Sequence, residues 1–390
     1  MNKIYKVLWN EVKQAYVVVS EIAKNHGKKS ESKLAVLTLA AAVMMGGMGG
    51  AVAQAMDPVP GYADVSQYSA VGKLENGTFT PGGYWITQGI MSALYGPYNL
   101  MAVGDNSKYP YDGVASTLVG QVNFTQNANA AIVMGAGNTV TNSYRTVTVE
   151  TSELSQFMDG NKVKDIAGLK NYLQNAVKTS GGKVMAIGGA NTVDNAYESQ
   201  VMGVGNTLQG GAGGYDENKA TRLNYIEGFY NNISGTADKP AQNDYIIGAD
   251  NTITNGKNNI IFGNKREVSE KDDNIIIGSG EGDSALKTTV SNAIILGNKA
   301  NATVDGGIAI GEGSIAAKAA PTEKGYGATD SDTGATWQGT AAALSVGDST
   351  GTTKITRQIT NVAAGKDETD AVNVAQLQTV AKAADAAKTH

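Results

Sequence analysis

Side chains able to do chemistry are scarce in this sequence of 390 residues. It has two histidines: His26 lies in a basic leader and His390 is the last residue. A triad of the Ser-His-Asp or Cys-His type needs an imidazole beside its hydroxyl or thiol, and a His-based metal site needs one as a ligand. Both chemistries are excluded from the body of the chain. Paired carboxylates, which can hydrolyse glycosidic bonds, are not excluded by counting. The acids, however, sit in runs such as Lys271-Asp272-Asp273 and Gly280-Glu281-Gly282-Asp283, between apolar segments. That is where a chain solvates its loops, and no pair stands out as acid and base.

Two glycine-rich segments approach ligand motifs and miss. Gly210-Gly211-Ala212-Gly213-Gly214-Tyr215-Asp216 has the glycines of a calcium-binding nonapeptide, but Tyr215 stands where an aspartate is required and there is one copy. It reads as a flexible loop. Gly278-Ser279-Gly280-Glu281-Gly282 lacks the Gly-Lys-Ser/Thr ending of a phosphate loop, and no helix pattern follows. It reads as a turn. The expectation is a protein without cofactor or metal, and not an enzyme.

What organises the chain is a repeat. In Asn258–Gly278, an apolar triplet closed by glycine occurs twice, Ile260-Ile261-Phe262-Gly263 and Ile275-Ile276-Ile277-Gly278, 15 residues apart. The unit recurs at Gly135, Gly188, Gly203, Gly248, Gly297 and Gly311, and more weakly at Gly72, Gly89, Gly104, Gly120 and Gly228. Four copies add Asn-Thr at one offset: Asn138-Thr139, Asn191-Thr192, Asn206-Thr207 and Asn251-Thr252. A fixed period means one structural unit stacked on its neighbours. β-Branched triplets favour short strands, and Gly and Asn favour turns. Fifteen residues suffice for two short strands and two turns, so each unit reads as one coil of a parallel β-solenoid.

Alternate strand residues face opposite ways. The triplets of Ile260, Ile261 and Phe262, of Ile275, Ile276 and Ile277, and the pair Ile294 and Ile295 therefore place apolar groups on both faces of a rung. Stacked rungs would expose an apolar stripe larger than a soluble monomer shows. Packing against other copies of the chain removes it, although the pattern does not fix how many. With no cysteine, stability must come from stacking and assembly. Beyond residue 55 the chain holds 24 basic and 33 acidic groups, and an acidic solenoid without a basic stripe does not suit nucleic acid.

Residues 1–55 read as a leader, with a basic front, the apolar run Leu34–Met45 and a small-residue end at Ala53-Gln54-Ala55. Cleavage is expected between Ala55 and Met56. Residues 56–111 are rich in tyrosine and their repeats are degenerate, which suits a solenoid cap. Tyr84, Trp85, Tyr95 and Tyr98 are candidate ligand contacts there. The period breaks at two expected insertions, 141–183 and 209–240. The first carries a helical stripe of Val163, Ile166, Leu169, Leu173 and Ala176/Val177, ended by Ser180-Gly181-Gly182. Residues 317–343 lose the pattern and read as a connector. Asp370 is a candidate N-cap for a helix from Ala371, along which Leu377, Val380, Ala384 and Ala387 follow an a/d spacing.

Three features carry a resemblance. Tyr5, Trp9, Asn10, Val17–Val19 and Ser20-Glu21 resemble the extended signal peptide region of type V secretion proteins. The segments Arg357-Gln358-Ile359-Thr360-Asn361-Val362 and Thr369-Asp370-Ala371-Val372-Asn373-Val374-Ala375-Gln376-Leu377 resemble the neck of trimeric autotransporter adhesins, the YadA-like proteins. Ile308-Ala309-Ile310-Gly311-Glu312-Gly313-Ser314 is similar to their head repeat. The resemblance implies an all-β homotrimer of left-handed parallel β-rolls at 56–316, a neck at 344–373 and the start of a coiled-coil stalk at 374–390. It also implies Sec export to the surface of a diderm bacterium and attachment to host matrix proteins, host cells or other bacteria. Some family heads bind collagen through the repeat, which makes Ile308, Ile310 and Ser314 candidate contacts. The family's C-terminal membrane barrel has no counterpart after Gln378, so a longer anchored protein is expected. A head that serves only as a spacer is the competing expectation, and a solenoid polysaccharide enzyme is a more distant one.

Overall fold

The computed structural model describes residues 5–10, 15–20, 70–76, 78–81, 93–95, 99–102, 108–109, 112–146, 151–159 and 162–388. Ala55, Met56, Tyr84, Trp85 and Tyr98 lie outside the described residues, and Tyr95 is described only as backbone in the strand Ala93–Tyr95. In the leader, Tyr5–Asn10 pairs antiparallel with Ala15–Ser20.

The repeats form a parallel β-roll. From Gly120 to Gly311 each triplet is a rung of a 12-stranded sheet, and the segment after each glycine from Gly120 to Gly278 is a rung of an 11-stranded sheet. The segments after Gly297 and Gly311 pair with each other as a separate two-stranded ladder. The weak copies expected at Gly72 and Gly104 are not rungs of the first sheet, because Ala70–Glu75 and Leu100–Ala102 belong to the second. Register follows the sequence repeat, with Gly188 beside Gly203, Gly203 beside Gly228, and Gly248 beside Gly263. The glycine is obligatory for two reasons. Gly203 has φ +119°, and a Cβ there would lie 1.8 Å from the carbonyl oxygen of Gly228 in the next coil. The middle residue of each rung points inward. Ile226, Ile246, Ile261, Ile276 and Ile295 from one sheet meet Val193, Leu208, Ile233, Ile253 and Val268 from the other, all fully buried.

The Asn-Thr pairs, expected as turns, do more than turn the chain. Their four asparagines, with Asn99, Asn123 and Asn231 at the same place in other coils, form a buried ladder along one corner of the roll. Asn206 is representative. Its Nδ2 donates to the Gly228 carbonyl at 2.8 Å, and its Oδ1 accepts from the backbone N and Nδ2 of Asn231 at 3.0 and 3.1 Å. Each amide satisfies the backbone that the glycine turn leaves unpaired, which a buried polar group must find. A second ladder on another corner runs through Asn224, Asp244, Asn259 and Asn274.

Several expectations need correcting. Residues 209–240 are not one insertion. Tyr225–Phe229 and Asn232–Ser234 are regular rungs, and only the loops 210–220 and 235–241 depart from the coil. The loop at Gly210–Asp216 is not loose, because Tyr215 packs edge-on against Tyr197 at 5.2 Å. The first insertion holds α1 (Thr151–Ser155), a short hairpin and α2 (Ile166–Thr179). Val163 belongs to the hairpin strand Lys162–Val163 rather than to the helix, and Ile166 is exposed. Asp165 ends the hairpin and caps α2, its carboxylate accepting from Gly168 N at 2.8 Å. Residues 317–343 do not lead away from the roll either. Leu344–Ser345 returns to pair with Ile308–Ile310 as the last rung, so 317–343 is an excursion.

The final helix, α3 (Val374–Lys388), starts later than expected. Its cap is Asn373, not Asp370. Asn373 Oδ1 accepts from Gln376 N at 3.1 Å, and Gln376 Oε1 accepts from Asn373 N at 3.2 Å, a reciprocal capping box. Asp370 instead closes the preceding turn by accepting from the backbone N of Lys366 and Asp367.

Candidate adhesive surfaces

The outer face of the 12-stranded sheet carries the residues on either side of each buried rung centre. Ile275 and Ile277 are 38% and 44% exposed, whereas Ile276 between them is wholly buried. In register with them lie Tyr245, Ile260 and Ile294 on one line, and Ile247, Phe262 and Leu296 on the other. Ile308 and Ile310 continue the same two lines. Two of the candidate ligand contacts thus share a stripe with the candidate packing residues. Glu227 interrupts it beside Ile247 and accepts a hydrogen bond at 2.7 Å from Tyr225, whose ring stacks on Tyr245.

Ser314 is not a surface contact. It is fully buried; its hydroxyl donates to the Ile310 carbonyl at 2.7 Å and accepts from Arg357 at 3.0 Å. Arg357 also donates to the carbonyls of Glu312 and Val346. Its guanidinium lies against Gly311, at a distance of 3.0 Å from where a Cβ would stand. This neck residue ties the last rungs to the chain that leaves them. Further along, Asn373 Nδ2 donates to the Val362 carbonyl at 3.2 Å. Gln358 and Asn361 are exposed, as are the apolar Ile359, Val374, Leu377 and Val380.

The departures from the coil meet at Glu198. Arg145 and Lys183, at either end of the first insertion, lie 3.3 and 3.4 Å from its carboxylate. Arg222, which follows the 210–220 loop, lies 2.9 Å away and also pairs with Glu217. Burial works to raise the Glu198 carboxyl, but hydrogen bonding and charge from Arg222 and Lys183 outweigh it and hold the group below its ordinary range. Arg145 also lies over the Tyr215 ring at 4.1 Å, a cation–π contact. Tyr197 beneath is buried, which pushes its phenol up to about 12, and it donates to the Asn142 carbonyl at 3.1 Å. The result is a rigid junction that fixes the insertion to the roll. Above it, Leu154, Leu169, Tyr172, Leu173 and Ala176 form a small separate core.

Two fully buried charged groups, Arg266 and Asp244, were not singled out in the sequence. Arg266 takes the place of an asparagine three residues after Gly263. Its backbone N donates to Asn251 Oδ1, and its guanidinium donates to the carbonyls of Gly278, Ser279, Gly297 and Ala300. It bridges the coils where residues 281–285 interrupt the ladder, and burial lowers its pKa to about 10. Asp244 stands four residues before Gly248, where Asn224, Asn259 and Asn274 precede their own glycines. The signal in both cases was the offset from glycine, which shows its meaning only when the rungs are aligned.

Among known proteins, the model of the extended signal peptide of the Type V secretion system matches residues 1–49. That of the coiled stalk of trimeric autotransporter adhesins matches residues 358–389. A 48-residue segment is 48% identical to the trimeric autotransporter adhesin AtaA of Acinetobacter sp. (strain Tol 5), covering 12% of this chain and 1% of that protein. Among the described residues, no helix is long and apolar enough to cross a membrane.

Proposed function

We propose that this chain, a trimeric autotransporter adhesin exported through Sec to the surface of a Gram-negative bacterium, forms a head whose outgrowths, rather than its rungs, make the adhesive contact. The family assembles as homotrimers, and three copies of the apolar stripe around Ile247, Phe262 and Ile277 would cover one another. Uncovered, the stripe is a liability in water; shared, it is an interface core. The domain organisation proposed follows the same reading: a leader to Ala55, a roll from 56 whose last rung is Leu344–Ser345 after the excursion of 317–343, then a neck and a stalk start.

The observation that carries the adhesive role is the Glu198 junction. A neutral loop needs no such anchoring, whereas a contact surface must be held in one geometry to avoid the ordering cost of binding. Host matrix, host-cell or bacterial-cell ligands all fit this reading, and weak contacts from three chains would add through effective concentration. No catalytic step is assigned to it. Cells displaying the protein with residues 147–182 replaced by a short turn should keep a folded trimer and lose attachment to the surfaces that the parent binds. Unchanged attachment would put adhesion elsewhere and leave the head as a spacer.

A further inference from the structure

The outgrowth carries a charge pattern unlike that of the rest of the chain. Beyond the leader the chain is acidic, with 24 basic and 33 acidic residues. Between residues 162 and 183 there are five lysines, Lys162, Lys164, Lys170, Lys178 and Lys183, and a single acid, Asp165. Asp165 is committed to the cap of α2. Asp159, across the hairpin from Lys162, and Glu153 on α1 are the acids nearest in sequence. The helix sorts its residues by face. Leu169, Tyr172, Leu173 and Ala176 pack inward, whereas Lys170, Asn171, Gln174, Asn175 and Lys178 are exposed.

We propose that this outer face of α2, with Lys162 and Lys164 at its start, docks an extended anionic polysaccharide, one bearing carboxylate or sulfate groups along its length. The inference rests on the adhesive reading of the outgrowth and names the class of its ligand. Lys170 and Lys178 are separated by about 12 Å of helix rise, more than the Debye length of about 8 Å at physiological salt. A single small anion therefore feels one lysine at a time, while a chain with repeated charges engages them together. Between the lysines stand three amides, which donate and accept like sugar hydroxyls. The face lacks the aromatic centre of a protein-binding surface, and lysine is depleted in such centres. Because the remaining head is acidic, it would repel a polyanion and confine it to the outgrowth.

The test uses the full trimeric chain and immobilised heparin, chemically desulfated heparin, dextran and duplex DNA, across a salt series. Two charge reversals are compared, Lys170→Glu with Lys178→Glu on the proposed face, and Lys318→Glu with Lys366→Glu away from it. The expected result is heparin binding that weakens as salt rises. It should fall by about tenfold or more in the first variant and stay within about twofold of the parent in the second. Dextran should not bind. Equal losses in both variants, binding as tight to DNA as to heparin, or no binding to heparin would each overturn the proposal. If heparin is ignored but residues 147–182 are still needed for cell attachment, the ligand class is wrong and the adhesive reading stands. If neither holds, both fail.

Discussion

Replacing Asp244 with asparagine is expected to stabilise the head at neutral pH and to remove a pH dependence from its melting. Asp244 is fully buried in a ladder of amides. Its backbone N donates to Asn224 Oδ1 at 3.0 Å, and its Oδ1 accepts from the backbone N and Nδ2 of Asn259 at 2.9 and 3.0 Å. Its Oδ2 is buried without a hydrogen-bond partner. At the same place in the ladder, Asn224 and Asn259 use their Nδ2 to donate to the carbonyls of Ala241 and Lys271. A carboxylate cannot donate; a protonated carboxyl or an amide can.

Burial accordingly pushes the Asp244 pKa from 3.8 up to about 7, against the pull of Asn259 and with some help from the Asp272 charge. In the unfolded chain the group ionises near its ordinary value. The folded state binds the extra proton, so the stability it contributes is fully present below about pH 4 and is lost as pH rises to about 7. At about 1.4 kcal/mol per pH unit, that loss reaches about 4 kcal/mol per chain. Circular dichroism melts of parent and D244N from pH 4 to 8 test this. The stability gap in favour of D244N should widen up to about pH 7 and stay constant above it. A gap that does not change with pH would refute the reasoning, because a merely steric difference between acid and amide does not titrate.

Other perturbations separate the two faces of the rung and its closures. Ile276→Asp should cost several kcal/mol per chain by burying an unpaired charge in the core, lowering strand content by circular dichroism. Ile277→Asp should instead leave the single-chain fold in place and weaken trimerisation in sedimentation; identical behaviour of the two would count against two-faced burial. Gly203→Ala should cost more than about 3 kcal/mol, since it forces both a positive φ and a collision with Gly228, read as a fall in melting temperature. Arg357→Ala should remove charge-assisted bonds worth about 1.5–3 kcal/mol each. The expected signature is faster amide hydrogen exchange in 344–357, with 245–277 unaffected.

The sequence by itself determined the repeat, its period and the two-faced rung, because a strand's side-chain alternation and a glycine's freedom are local properties. Spacing alone put Ile276 on the face opposite Ile275 and Ile277, and burial then showed that Ile276 is the one inside. The leader and neck were legible for a similar reason, being short motifs read without reference to the rest of the chain. What only the tertiary structure decided depends on alignment between coils. Asn138, Asn191, Asn206 and Asn251 read as turn residues until stacking put each amide against the next coil's glycine carbonyl. Nothing local marked Arg266 and Asp244, which the register places inside the ladders. Ser314 looked exposed until Arg357, 43 residues later, came back to it. Glu198 gained its three cations only because the chain came back to neighbouring coils after the first insertion, with Arg145 and Lys183, and after the 210–220 loop, with Arg222. Local chemistry wrote the rung, and the stacking of one rung on the next gave the polar residues their partners.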